Sequence, residues 1–91
     1  MSAPALIQEF VIGNEYGLHA RPAALFVRCA NQFSAEVAVV KDGMEVSGKS
    51  IMGLLTIEGH QGSVIELRIQ GEDAEAAMAA LTELIESNFG E

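Results

Sequence analysis

The sequence of 91 residues contains no tryptophan, one tyrosine and one cysteine. A lone Cys29 cannot form an internal disulfide, which excludes a disulfide-stapled secreted scaffold and fits a reducing compartment. No apolar run approaches the roughly 18 residues of a membrane helix. The N-terminal residues also lack the basic region of a signal peptide. We therefore expect a cytoplasmic protein with no membrane association.

Positive charge is scarce as well. Thirteen acidic residues stand against five lysines and arginines, which gives a net charge of −8. A general nucleic-acid binder needs a basic surface to displace counterions, so that class is excluded. The first 53 residues hold four of the five cations, whereas residues 54–91 hold eight of the acids. An anion site is therefore predicted in the first half of the chain.

Length and composition predict one compact domain over residues 1–91. Apolar alternation and turn residues predict strands at 6–12, 35–41, 44–47 and 64–70, with Asp42-Gly43 as a hairpin turn. Three- and four-residue apolar spacing predicts helices at 20–31, at 51–57 and after Asp73, which is expected to cap the last one. The order is βαββαβα, and the hairpin and alternation signals favour an antiparallel sheet with helices packed on one side, an α+β sandwich.

The segment Gly17-Leu-His-Ala-Arg-Pro-Ala23 makes the strongest functional prediction. Pro22 fits the first turn of a helix, which places His19 at the N-cap. The positive end of a helix dipole favours an anion attached to a ring at that position. Arg21 adds a guanidinium group suited to phosphate oxygens. These residues predict a histidine that accepts a phosphoryl group, and the alternative is a surface histidine that merely caps the helix.

A second segment, Gly48-Lys-Ser-Ile-Met-Gly53, opens a short helix with Ser50 as a natural N-cap. Residues 43–50 also satisfy the pattern G-x-x-x-x-G-K-[ST] of phosphate-binding loops. That loop needs a buried parallel strand before it and a long helix after it. Here a hairpin turn and a short strand precede Lys49, so nucleotide binding through this segment is not expected.

The two segments, in this order and at this spacing, resemble the active-site and regulatory-serine sites of the HPr family. These are the histidine phosphocarriers of the bacterial phosphoenolpyruvate-dependent phosphotransferase system, and the resemblance extends over nearly the whole chain. It implies an open-faced β-sandwich, with a four-stranded antiparallel sheet covered on one side by three helices. It further implies that His19 takes the phosphoryl group through Nδ1 and that Arg21 stabilises its charge, helped by the backbone N–H groups of Ala20 and Arg21.

The resemblance also implies the partners. The donor would be enzyme I, charged from phosphoenolpyruvate, and the acceptor a IIA-type histidine domain that serves sugar uptake. Ser50 would be phosphorylated by an ATP-dependent serine kinase, with a phosphorylase as its counterpart, and the phosphate would weaken docking to enzyme I. Such a monomeric carrier works in a relay without being a stand-alone catalyst, and it needs no cofactor and no metal.

The apolar run at 51–55 is the predicted partner-docking surface. A short helix with four apolar residues cannot bury all of them, so we expect Leu54 to point inward. Ile51, Met52 and Leu55 are expected to be at least partly exposed beside His19, and Ala20 completes the surface.

Some features leave the partners open. Tyr16 stands where many sugar-system members carry a small or amide side chain, a difference that bears on the hydrogen bonding of the active loop and on which partners fit. The nearest alternative is the nitrogen-regulatory branch of the same family, and another is a regulatory module that acts mainly through Ser50. His60 is interpreted as a loop histidine and Cys29 as a small core residue.

Overall fold

The computed structural model describes residues 4–90. Its elements follow the predicted order, and the strands and the first two helices begin and end within one residue of the predicted bounds. The elements are β1 (Leu6–Val11), α1 (Ala20–Ala30), β2 (Glu36–Lys41), β3 (Met44–Ser47), α2 (Ile51–Thr56), β4 (Val64–Gln70) and α3 (Ala74–Glu86). A three-residue turn, Asn88–Gly90, follows α3. Within residues 4–90, no helix is long and apolar enough to cross a membrane.

The four strands form one antiparallel sheet in the order β1-β4-β2-β3. The β2–β3 hairpin turns at Asp42 and Gly43, whose φ angles of 51° and 81° suit the type I′ turn that this residue pair favours. The long-range pairings place β4 at the centre, between β1 and β2. The predicted open-faced sandwich, with three helices on one side of the sheet, is confirmed.

The core lies between the sheet and the helices. Alternate residues of β4 point inward, so that Ile65, Leu67 and Ile69 are fully buried while Arg68 lies in solvent. The helices contribute Phe26 from α1, together with other side chains at three- and four-residue spacing: Ala23, Ala30, Leu54, Ala77, Leu81 and Ile85. Burying each large aliphatic side chain stabilises the fold by about 1.5–3 kcal/mol, which fixes the faces that α1 and α2 present to the sheet.

The prediction that the Asp73 side chain caps α3 was wrong. Asp73 occupies the N-cap position, but its carboxylate makes no capping hydrogen bond to α3. It accepts instead from the backbone N–H groups of Ser34 at 2.9 Å and of Ala35 at 2.8 Å. These hydrogen bonds hold the pKa of Asp73 below its usual value, and the bond from Ser34 has the largest effect. The N–H groups of Ser34 and Ala35, in the segment before β2, bind the carboxylate in place of the first N–H groups of α3.

The C-terminal turn Asn88–Gly90 has no counterpart among the predicted elements. It brings the side chain of Phe89 back into the core, where only 1% of it is exposed. Three residues are too few to show a hydrophobic period, so nothing in the local sequence indicated this packing.

Candidate functional site

His19 ends the loop between β1 and α1. Its backbone is extended, with φ −80° and ψ −171°, and its carbonyl oxygen accepts from the N–H of Ala23 at 2.9 Å. His19 is therefore the N-cap of α1, as predicted. Its side chain makes no capping hydrogen bond to the helix and is exposed. The imidazole thus stands at the surface, at the positive end of an 11-residue helix.

The loop that carries His19 is fixed by hydrogen bonds on both sides. The Asn14 side-chain amide donates to the carbonyl oxygen of Gly17 at 2.8 Å, and the Gly17 N–H donates to the carbonyl oxygen of Asn14 at 3.2 Å. The N–H of Leu18 donates to the carbonyl oxygen of Gly59 at 2.7 Å. Asn14 is only 3% exposed. It is therefore a positioning residue that sequence reasoning missed, since a lone asparagine after a strand resembles any turn residue.

Two surface depressions meet at this loop. The His19 depression is lined by His19, Ala20 and Leu55, together with residues on either side of them: Tyr16, Leu18, Glu58, Gly59 and His60. The Arg21 depression is lined by Arg21 and by Gly13, Asn14, Glu15, Tyr16 and Asn88. Tyr16, which is 69% exposed, lines both.

Three of the residues predicted for the site thus share the His19 depression, while Arg21 lies in the neighbouring one. His60 is an exposed loop residue, as interpreted from the sequence, but the fold brings it to the same depression as His19. Nothing in the sequence indicated this, because the two histidines lie 41 positions apart along the chain.

Helix α2 divides its apolar residues as the spacing predicts. Leu54 is fully buried, whereas Ile51 is 42% and Met52 is 74% exposed. Leu55 is half-buried and contributes to the wall of the His19 depression. An exposed apolar surface on this short helix is thus confirmed, and its use for docking stays a prediction.

Ser50 is the N-cap of α2, as predicted. Its hydroxyl oxygen accepts from the N–H of Gly53 at 3.0 Å, and the residue is half-buried. The preceding Lys49 donates from Nζ to the carbonyl oxygen of Phe33 at 2.7 Å, and the N–H of Gly48 donates to the carbonyl oxygen of Val37 at 2.8 Å. The segment is therefore tied into the fold, and it lacks the open cradle of N–H groups that a phosphate-binding loop needs.

The remaining reactive groups do not converge. Cys29 lies on α1, half-buried against the core, and burial raises the pKa of its thiol, which favours the unreactive protonated form. Among residues 4–90, no group of three His, Cys, Asp or Glu side chains is placed to hold a metal ion.

Comparison with known proteins identifies the family to which this chain belongs. The family model described as the PTS HPr component phosphorylation site matches residues 7–87. The chain belongs to the HPr family. The phosphocarrier protein HPr of Neisseria meningitidis is 49% identical over 86 residues, which cover 94% of this chain and 97% of that protein.

Solved HPr-family structures agree with the fold. The crystal structure of HPr-C-His from Thermoanaerobacter tengcongensis is 49% identical and superposes with a TM-score of 0.92, covering 94% of this chain and 97% of that one. A second crystal structure is that of Crh from Bacillus subtilis, which is described as a catabolite repression protein and a swapped dimer. Crh is 41% identical to this chain and superposes with a TM-score of 0.74, covering 89% of this chain and 93% of that one. This HPr-family chain is therefore a phosphocarrier of the phosphotransferase system. Because a family member forms a dimer, the expectation of a monomer is not settled by membership.

Proposed function

We propose that this chain accepts a phosphoryl group on His19 from phosphorylated enzyme I, charged by phosphoenolpyruvate, and passes it to a IIA-type histidine domain for sugar uptake. The chain would act as one cytoplasmic, monomeric carrier domain over residues 1–91. The observation that carries the proposal is the exposed imidazole of His19 at the N-terminus of α1, which is not used to cap the helix.

Phosphoryl transfer depends mainly on position and on stabilising charge, so a carrier can rely on its donor and acceptor for the rest of the chemistry. The ring nitrogen of His19 attacks the phosphorus of the donor's phosphoryl group as the bond between that phosphorus and the donor breaks. In the onward transfer the acceptor histidine attacks the phosphorus, and the bond from the phosphorus to the His19 nitrogen breaks. The α1 dipole favours the added negative charge, and we assign to Arg21 the pairing with the phosphoryl oxygens.

Partner docking is assigned to the exposed surface of Ala20, Ile51, Met52 and Leu55. Leu55 and Ala20 line the same depression as His19, so a partner seated there would cover the phosphoryl group. The exposed Met52 side chain is flexible enough to fit more than one partner. A carrier that must release each partner quickly needs only a small interface of this kind.

Ser50 is assigned a regulatory role beside its capping role. It lies directly before Ile51 of the proposed docking surface, and phosphorylation there would add about −2 charges next to apolar side chains. The dipole and the N–H groups of α2 would still stabilise the phosphate oxygens, so α2 would remain folded. The added charge would weaken docking to enzyme I.

Two alternative functions can be distinguished from the proposed one by experiment. Relatives of this chain include HPr-like proteins named Crh, one of which is described as a catabolite repression protein, and this favours a regulatory module acting through Ser50 as the second candidate. The other alternative is a nitrogen-branch phosphocarrier, which would share the His19 chemistry and differ in its enzyme I.

The test is the intact mass of the protein after incubation with phosphoenolpyruvate, Mg²⁺ and enzyme I of the sugar branch, repeated with enzyme I of the nitrogen branch. His19→Ala is the diagnostic variant, and His60→Ala is the matched control because it removes a histidine from the same depression. One acid-labile phosphate with the sugar enzyme, absent in His19→Ala and present in His60→Ala, supports the proposal. Phosphate only with the nitrogen enzyme selects that branch, and none with either from a folded protein leaves the Ser50 module.

A further inference from the structure

The C-terminal turn adopts a backbone conformation that requires an explanation. Asn88, Phe89 and Gly90 have φ angles of 55°, 56° and 77°. The backbone of three successive residues therefore lies in the left-handed region. Asparagine and glycine tolerate this region, but phenylalanine rarely adopts it. The buried Phe89 side chain anchors the turn to the core. Strained backbone held in place by packing is most often found where it positions a functional group.

The group that this turn positions is the Asn88 carboxamide. It lies against Gly13 at the start of the active loop, so closely that a Cβ atom at Gly13 would come within 2.7 Å of Asn88 Oδ1. Asn88 also lines the Arg21 depression, although 67 residues separate it from Arg21. The C-terminal turn thus forms part of the wall against which Arg21 lies.

The polar groups of the Arg21 depression are suited to a guanidinium. Asn88 and Asn14 supply carboxamides and Glu15 supplies a carboxylate. The Oδ1 atom of Asn14 is buried and has no hydrogen-bond partner among residues 4–90. A guanidinium presents five N–H donors in one plane and needs fixed acceptors to hold one orientation.

We infer that Asn88 is a positioning residue for Arg21: its carboxamide oxygen accepts from the guanidinium and orients it toward the phosphoryl group on His19. A neutral acceptor suits this role because it orients the cation without neutralising it, whereas a carboxylate at position 88 would add a second negative charge to that of Glu15 and compete with the phosphoryl oxygens. The inference rests on the proposed role of His19 and Arg21, and the residue acts through Arg21 without touching the phosphoryl group.

Three variants separate this role from turn formation. Asn88→Gly keeps the left-handed backbone and removes only the carboxamide. Asn88→Asp keeps the shape and adds a competing charge. Ser87→Asp is the matched charge control, because Ser87 is adjacent and exposed but does not line the Arg21 depression. The full chain is used for each, and thermal unfolding checks that all three fold.

Two readouts are measured. The first is the single-turnover rate of phosphoryl transfer from saturating phosphorylated enzyme I to His19, with the KM for enzyme I measured alongside. The second is the NMR resonance of Arg21 Nε–H in the unphosphorylated protein. We expect Asn88→Gly to lower the transfer rate roughly tenfold at unchanged KM, the usual effect of losing one hydrogen bond to a charged group. We expect Asn88→Asp to lose at least as much and both to shift the Arg21 resonance, whereas Ser87→Asp leaves rate and resonance near those of the wild type.

The outcomes are distinct from those of the proposed function. A wild-type chain that takes phosphate on His19, with Asn88→Gly equally fast and its Arg21 resonance unmoved, overturns this inference alone and leaves Asn88 as a turn residue. Equal losses in Asn88→Asp and Ser87→Asp also overturn it, because they would show a general charge effect. A wild-type chain that takes no phosphate on His19 overturns both proposals.

Discussion

Gly17 lies directly against the backbone of Gly59. A Cβ atom built on Gly17 would collide with the Gly59 carbonyl oxygen, the same oxygen that accepts from the N–H of Leu18. Gly17 itself has a φ of 62°, which L side chains rarely adopt. The loop before His19 and the segment after α2 are therefore joined by backbone contact, and His60, next to Gly59, is brought to the site by the same contact.

Replacing Gly17 should disturb both the fold and the site. Gly17→Ala combines the left-handed penalty with a clash against backbone that cannot rotate away, and we expect a loss of roughly 2–5 kcal/mol in the free energy of unfolding. Urea denaturation measures it. Gly43→Ala is the matched control, since Gly43 also has a positive φ, 81°, but open space around it. We expect the control to lose roughly 1–2 kcal/mol, and equal losses at the two positions would contradict the contact described here.

Asp73 makes a pH-dependent contribution to stability. Hydrogen bonds from Ser34 and Ala35 hold the pKa of Asp73 below its usual value in the folded state. Because the unfolded-state pKa is higher, the stabilisation is complete above that higher value and is lost as the pH falls through the folded-state pKa. We expect Asp73→Asn to be less stable than wild type at neutral pH, with the difference shrinking as the pH falls below about 4.

Denaturant titrations over a pH series check this prediction. Glu72→Gln is the control, since it removes the neighbouring carboxylate, which is exposed. A difference between wild type and Asp73→Asn that stays constant through the acidic range would assign the effect to packing and not to ionisation.

Met52 and Leu54 should separate docking from stability. Met52 is 74% exposed whereas Leu54 is fully buried. We expect Met52→Glu to raise the apparent KM for enzyme I severalfold while changing the free energy of unfolding by no more than about 0.5 kcal/mol. Leu54→Ala should cost about 2–5 kcal/mol. Met44→Glu, which charges another exposed methionine outside the docking surface, should leave KM unchanged, and a large stability loss in Met52→Glu would identify Met52 as a packing residue.

Ser50 combines a cap with a modification site, and two substitutions separate these roles. Ser50→Ala removes the hydrogen bond to Gly53 N–H and should cost about 1 kcal/mol, measured by thermal or urea unfolding. Ser50→Asp keeps a capping oxygen and adds negative charge beside Ile51. We expect it to remain near wild-type stability and to accept phosphate from enzyme I more slowly, whereas Ser50→Ala should accept it at the wild-type rate. If Ser50→Asp accepts phosphate at the wild-type rate and Ser50→Ala accepts it more slowly, the role of Ser50 is limited to capping.

Local patterns predicted much of the candidate site. His19 at the N-cap follows from Pro22 in the first turn, and Ser50 at the next N-cap follows from the short apolar run after it. The buried Leu54 and the exposed Met52 follow from helical spacing. In each case the controlling interaction lies within one or two helical turns, where the sequence pattern is informative.

The residues that sequence reasoning missed depend on contacts between distant segments. Asp73 bonds to a segment 38 residues away instead of capping α3, and neither partner carries a signal for the other. His60 reaches the active loop through the backbone contact between Gly17 and Gly59, and Asn88 reaches it beside the buried Phe89.

The sequence by itself determined the element order, the inward face of each strand and helix, the placement of His19 and Ser50 at helix N-termini, and the strongly acidic charge balance of the chain. Periodicity, capping residues and charge are local or compositional, so they can be identified without coordinates. Only the tertiary structure decided which loops meet at His19, that Arg21 lies in a separate depression, and that the C-terminal turn forms part of its wall. Those relationships arise from the packing of segments far apart in the chain, where many pairings satisfy the same local pattern and the shared core selects one.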